Sequence, residues 1–285
     1  MGYLTTKPFI VLTLSFFLML LSARIGLYFR ERRGDLDEGA LKDLDLIVTA
    51  TLTLLGLIIG FTFSMAINRY DQRKTYEEGE ANAIGTEYLR IGLLPSADRA
   101  NLRSLLRDYL AQRISFYETR EENTLGQIDA ATAKLQDKLW ASMEGAAVAR
   151  PTPVFTLVVS GMNDVLNSEG YTQAAWWNRI PPGAWFLMIA VAISANLLVG
   201  YAAHSTSTRI IRLLVLPFVL CIAFYAIADI DSPRRGTIRV YPQNLVRLTE
   251  SLDRRRETSN VVVFDRHRPY QHPLDSFIVG KAWAH

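Results

Sequence analysis

Four long, predominantly apolar blocks punctuate this sequence, and each is long enough to cross a bilayer as a helix. The hydrocarbon core is about 30 Å thick and a helix rises about 1.5 Å per residue, so a span needs roughly 20 such residues. The blocks lie at 8–28, 46–67, 183–203 and 210–230. In the first, the uncharged core ends at Arg24, whose aliphatic stem lets its charge reach the headgroups. A cleaved signal peptide is the rival reading there, since Lys7 precedes the block. Leu21 suits the position three before a cleavage point at Ala23 poorly, so a retained span is expected. Pro181 and Pro182 precede the third block, where a missing N–H costs a helix little. Pro217 sits inside the fourth, where a kink is expected.

Composition narrows the function. The net charge of +3 is too small to argue for nucleic acid as a partner. Cys221 is the single cysteine and the four histidines are scattered, so neither a disulfide nor a zinc site is indicated, and no cofactor or metal is expected. No Gly-rich phosphate loop, catalytic triad or internal repeat stands out, and an enzyme is not expected.

The links arrange the spans. Residues 204–209 join the third and fourth into a tight antiparallel hairpin, and 29–45 join the first and second into another. An even number of spans puts both termini and residues 68–181 on one side. Near the membrane that side carries Lys7, Arg69, Arg73, Lys74, Arg179, Arg234, Arg235 and Arg239, against Arg30, Arg32, Arg33, Lys42, Arg209 and Arg212 on the other. The positive-inside rule makes the first set cytoplasmic. The expected fold is therefore all-α: a transmembrane hairpin (1–67), a cytoplasmic helical domain (68–181), a second hairpin (182–230) and a cytoplasmic C-terminal segment (231–285).

From Asn68 onward Ala81, Ile84, Tyr88 and Ile91 keep one apolar face, so the second span is expected to continue as a stalk helix to Pro95. A helix capped by Ser96 follows, then one opened by a Thr124/Gln127 capping box, then one starting near Thr152. Residues 154–159 admit a strand as an alternative. The tail from Asn260 reads as a short docking strand or as disordered. Glu80, Asn82 and Glu87 on the stalk read as solvated or bundle-pairing groups.

Within the second span, Thr49, Thr53, Gly56, Gly60 and Ser64 fall within about 80° of one another at 100° per residue. This stripe of small and hydroxylated side chains is flanked by Leu57 and Phe61. It fits close helix packing in lipid, or a pore wall with an apolar constriction. Asp229 and Asp231 end the fourth span, followed by Arg234 and Arg235. They fit an ion site at the membrane boundary, or an interfacial helix end whose acids pair with the arginines.

The run Gly60-Phe61-Thr62-Phe63-Ser64-Met65, then Asn68-Arg69-Tyr70-Asp71, then Glu80-Ala81-Asn82-Ala83-Ile84-Gly85-Thr86, with Leu93-Leu94-Pro95, resembles the bestrophin-like domain family of bacterial membrane proteins. The segment Asp229-Ile230-Asp231-Ser232-Pro233-Arg234-Arg235-Gly236 is similar to that family's second signature. The resemblance covers residues 45–250. It implies kinship with bestrophins, pentameric anion channels whose second span lines the pore and narrows around a Gly-Phe pair, here Gly60-Phe61. The acidic run that grips calcium in bestrophins is reduced here to Asp229 and Asp231, and the aromatic neck to Phe61.

The expectation is an oligomeric, anion-favouring channel in the bacterial inner membrane, a pentamer by resemblance. The second helix would line its pore through Thr49, Thr53, Leu57, Gly60, Phe61 and Ser64. The bilayer, further copies of the chain and small inorganic ions are the expected partners. The alternative is a non-conducting scaffold or sensor whose cytoplasmic domain recruits a partner.

Overall fold

A computed structural model describes residues 7–33, 37–203 and 206–265, without the side chains of 206–212 and 256–265. The elements are α1 (Pro8–Arg33), α2 (Glu38–Arg90), a 3-10 turn (Ile91–Leu93), α3 (Ser96–Glu118), α4 (Glu122–Ala149), α5 (Pro153–Trp177), α6 (Pro182–Ala202), α7 (Thr206–Asp231) and α8 (Gln243–Asp265). No strand occurs among the described residues, so the strand alternative at 154–159 gives way to α5. Four helical stretches are long and apolar enough to cross a membrane.

The second span runs into its stalk without a break. At about 1.5 Å per residue the 53 residues of α2 extend about 80 Å, more than twice a bilayer core. Asp37 caps its start by accepting the Ala40 amide at 3.2 Å, and its last turn tightens before Pro95, which cannot continue a helix. Thr152 caps α5, where expected, through the Phe155 amide at 3.4 Å, with Pro153 in the first turn. Two caps differ from expectation. Ser96 already lies within α3, which Pro95 precedes without a side-chain cap. Helix α4 starts at Glu122, and the Thr124 hydroxyl turns back to the Glu121 carboxylate at 3.2 Å instead of forming a capping box.

Lateral packing in the membrane crosses the sequence links. Helix α1 lies chiefly against α6 and α7, and α2 against the same pair. The α1–α6 crossing is a backbone contact. A side chain at Gly26 would strike the Leu197 carbonyl, and one at Gly200 the Ala23 carbonyl. Ser22 ties the two helices by donating to the Ile193 carbonyl at 2.7 Å. Met19, Leu55, Ala66, Trp185, Met188 and Phe224 belong to the membrane core. Helix α7 stays helical through Pro217.

Outside the membrane, α3, α4 and α5 pack with the stalk around Ile84, Tyr88, Leu102, Leu106, Phe116, Leu139, Val158 and Met162. The C-terminal segment adds an element that was not anticipated. Helix α8 lays Leu245 and Leu252 into this core and reaches Asp265, so residues 260–265 are helical and not a strand. The rest of the tail, 266–285, lies outside the described residues.

Candidate functional site

One side of α2 is committed to the rest of the subunit along its whole length. Leu44, Leu55, Thr62, Ala66, Arg73, Glu77, Glu80, Ile84 and Glu87 are buried at intervals of mainly three or four, or multiples of them. The opposite side is bare. Thr49, Thr53, Gly56, Leu57, Gly60, Phe61 and Ser64 are all exposed, Leu57 to 54% and Phe61 to 67%. A side chain added at Gly56 or Gly60 would meet nothing within 4 Å. Packing inside the subunit therefore does not account for the small-residue stripe; between the spans, the close glycine contacts among the described residues are at Gly26 and Gly200.

The composition of the bare face sets it apart from the other exposed membrane surfaces. On α1 those surfaces carry Phe9, Leu14, Phe17 and Leu21, and on α7 Leu214, Val215, Phe218 and Val219, as lipid requires. The α2 face instead mixes Thr, Gly and Ser with exposed Leu46, Leu54, Leu57, Phe61 and Phe63. Thr53 donates its hydroxyl proton to the Thr49 carbonyl at 2.8 Å, so its oxygen turns outward as an acceptor. Down the stalk the same stripe continues through Asp71, Lys74, Glu78 and Asn82, all exposed.

Three ionisable groups on the buried side of α2 tie the stalk to its neighbours: Arg73 to α5 and α7, Glu77 to α8, and Glu80 to α3 and α5. Arg73 donates to the carbonyls of Ala175 (3.2 Å), Asn178 (3.3 Å) and Ile230 (3.3 Å), at the C-terminal ends of α5 and α7, where a cation suits the helix dipole. Burial pulls its pKa down to about 10, with Asp231 opposing and Arg179 and Arg69 adding to the fall. Glu77 caps α8, accepting the amides of Asn244 (2.9 Å) and Leu245 (3.1 Å) and the Asn244 side chain (2.6 Å). Glu80 pairs with Arg113 of α3 and accepts the Tyr117 and Thr172 hydroxyls at 3.1 Å each. Burial opposes the charge on Arg113, but Glu80 beside it holds its pKa above the ordinary range.

Glu87 is different. Its side chain is wholly buried, neither oxygen has a hydrogen-bond donor, and the carboxylate rests on Gly161 of α5. Arg90 stands 3.9 Å away and itself meets Asp164. Burial raises the Glu87 pKa to about 8, with Arg90 opposing and Asp164 adding to the rise. Asn82, the third polar stalk residue weighed from sequence, is exposed. From sequence Arg73 counts only as a cation flanking the membrane, and Glu77 and Arg113 carry no expectation. The signal was present for the first two, which fall in register with the apolar Ala81–Ile84–Tyr88–Ile91 face.

The boundary residues do not pair among themselves as the helix-end reading expected. Asp229 accepts the amides of Thr237 (2.8 Å) and Ile238 (2.9 Å) and the Thr237 hydroxyl (2.7 Å), closing the turn after α7. Gly236 sits where a side chain would strike the Asp229 carbonyl. Asp231 accepts the Ile180 amide at 3.1 Å and faces Arg179 and Arg73. Arg234 donates to the Phe116 (2.9 Å) and Thr119 (3.2 Å) carbonyls and stacks on Phe116 and Trp176 at 4.5 Å each. Arg235 pairs with Glu122 at 2.9 Å. The segment thus ties the end of α7 to the α3–α4 corner. Among the described residues no group of three or more His, Cys, Asp or Glu side chains is placed to hold a metal ion.

The sequence matches the model of the bestrophin-like domain family over residues 16–245. No curated protein matches it. Among solved structures, a point mutant of a bacterial bestrophin homologue from Klebsiella pneumoniae superposes with a TM-score of 0.59 at 11% identity, covering 84% of this chain and 98% of that one. Another structure of a Klebsiella pneumoniae bestrophin homologue gives 0.57 at 16% identity, covering 86% and 99%. At such identities the likeness is one of fold.

Proposed function

The chain belongs to the bestrophin-like domain family, and from that premise we propose that it is an anion-favouring ion channel assembled from several copies, five by kinship with bestrophins. Each copy turns the bare face of α2 toward a shared axis. Thr49, Thr53, Gly60 and Ser64 line the water, and Leu57 and Phe61 narrow it. The protein is a multi-pass membrane protein; in this reading it sits in the bacterial inner membrane with both termini and the helical domain in the cytoplasm.

The observation that carries the proposal is the bare stripe itself. A face of Thr, Gly and Ser wins little from lipid, yet the subunit buries the opposite side of the same helix and leaves this one open. Copies arranged about an axis satisfy it with water and with one another. Backbone N–H groups inside the helix are already bonded, so the wall presents mainly hydroxyl oxygens and carbon. An ion passing Leu57 and Phe61 keeps or sheds its own hydration, and an apolar ring of this kind gates by drying.

One observation favours a cation-passing variant: Asp71 and Glu78 stand on the same stripe below the membrane, with Lys74 between them. Planar-bilayer recording in a potassium chloride gradient separates the two. The proposal predicts a reversal potential displaced toward that of chloride, and a larger conductance for Phe61→Ala. A reversal toward potassium selects the variant. A monomeric protein without current contradicts both and favours a scaffold or sensor.

A further inference from the structure

Arginines crowd the level at which the chain leaves the membrane. Arg69 lies two residues past the apolar block of α2, Arg179 lies two residues before Pro181 and Pro182 at the start of α6, and Arg73 is one turn below Arg69. Asp231 at the end of α7 is the carboxylate they share. Arg73 spends its donors on the three carbonyls described above, and its charge balances Asp231. Arg235 has Glu122. Arg69 and Arg179 are left with no carboxylate within ion-pair distance among the described residues. Nε and Nη1 of Arg69 and Nη1 of Arg179 are shielded from solvent and have no acceptor. Buried guanidinium donors without acceptors are costly, so an acceptor group at this place would be strongly held.

The surroundings say what could bring that acceptor. Trp177, 74% exposed, stands two residues before Arg179, and Tyr241 is also exposed in the segment after α7. Exposed Trp and Tyr at the ends of spans are marks of the headgroup layer. Phe186 and Leu187 in the first turns of α6 are exposed apolar side chains, as a lipid-facing surface requires. Both arginines are only half-buried, so part of each side chain remains open at the surface. Guanidinium groups present planar forks that match phosphate oxygens, and basic pockets between spans on the cytoplasmic side suit acidic lipid headgroups.

We infer that Arg69 and Arg179, backed by Arg73, form a site for the phosphate of an acidic phospholipid headgroup at the cytoplasmic membrane boundary. The site clamps α2 to the α5–α6 junction from the lipid side. It requires membrane insertion but not ion conduction, so it stands whether or not the channel proposal does.

Native mass spectrometry of the purified protein, titrated with phosphatidylglycerol and with phosphatidylcholine, tests it. Each basic residue near an anionic headgroup is worth about 1 kcal/mol, so the double variant Arg69→Gln/Arg179→Gln should bind phosphatidylglycerol more than ~10-fold more weakly. The double variant Arg120→Gln/Lys134→Gln removes the same charge from exposed positions of the cytoplasmic domain and should bind as the parent does. If the glutamine pair does not fold, Arg69→Lys/Arg179→Lys keeps the charges, loses the forks, and should still weaken binding. Equal affinity for the two lipids, or undiminished phosphatidylglycerol binding in the variants that fold, overturns the inference. Displacement of the lipid by inorganic phosphate at equal concentration would assign the site to free phosphate and overturn the lipid assignment.

Discussion

Two buried glutamates, two turns apart on the same helix, behave in opposite ways because their neighbours differ. Glu80 has a guanidinium and two hydroxyls. Removing one partner of such a pair leaves a buried charge, so Arg113→Met should cost about 3–5 kcal/mol, read as a fall in chemical or thermal unfolding midpoint. Glu87 faces Gly161, Arg90 and Asp164 with no hydrogen bond to its oxygens. Its folded pKa of about 8 exceeds the ordinary 4.5, so the folded state holds the proton more tightly than the unfolded one. Stability from this group is then fully present below pH 4.5 and is lost as pH rises toward 8, by at most about 1.4 kcal/mol per pH unit. Glu87→Gln should flatten the fall in thermal midpoint across that window; an unchanged slope would show that Glu87 does not cause it. Neither behaviour could be told from sequence. Both residues sit in register with the apolar face of the stalk, but what each one meets is supplied by α3 and α5.

At the scale of elements, the glycines divide by what opposes them. Gly200 and Gly26 let α1 and α6 touch backbone to backbone. A Gly200→Val substitution should therefore abolish the folded species in size-exclusion chromatography. Gly60→Ala meets nothing within the subunit and should leave its fold intact, with any change confined to conduction. The four spans and the unbroken α2 were legible because length and absence of charge are local properties of the chain. The tight glycines were not, since the second span's glycine stripe looked equally suited to packing and only the positions of α1 and α6 decide between them. Helix α8 was missed for a similar reason. Its apolar Leu245, Leu248 and Leu252 are diluted by Arg and Glu, and Glu77, which caps it, is 167 residues away in sequence.

For the whole molecule, the two families of contact on α2 define the design. Its buried side packs against the transmembrane helices above and the helical domain below, joining the two. Its bare side belongs to something outside the subunit, and the central claim is that this is a water-filled axis shared among copies. Modification of single cysteines during bilayer recording tests that claim most directly, in a Cys221→Ala background because the native thiol is buried in the membrane core. A charged thiol reagent should alter the current of Ser64→Cys, on the bare side, and leave that of Thr62→Cys, on the buried side, unchanged. Equal responses at the two positions, or no response at Ser64→Cys, would contradict a pore lined by α2.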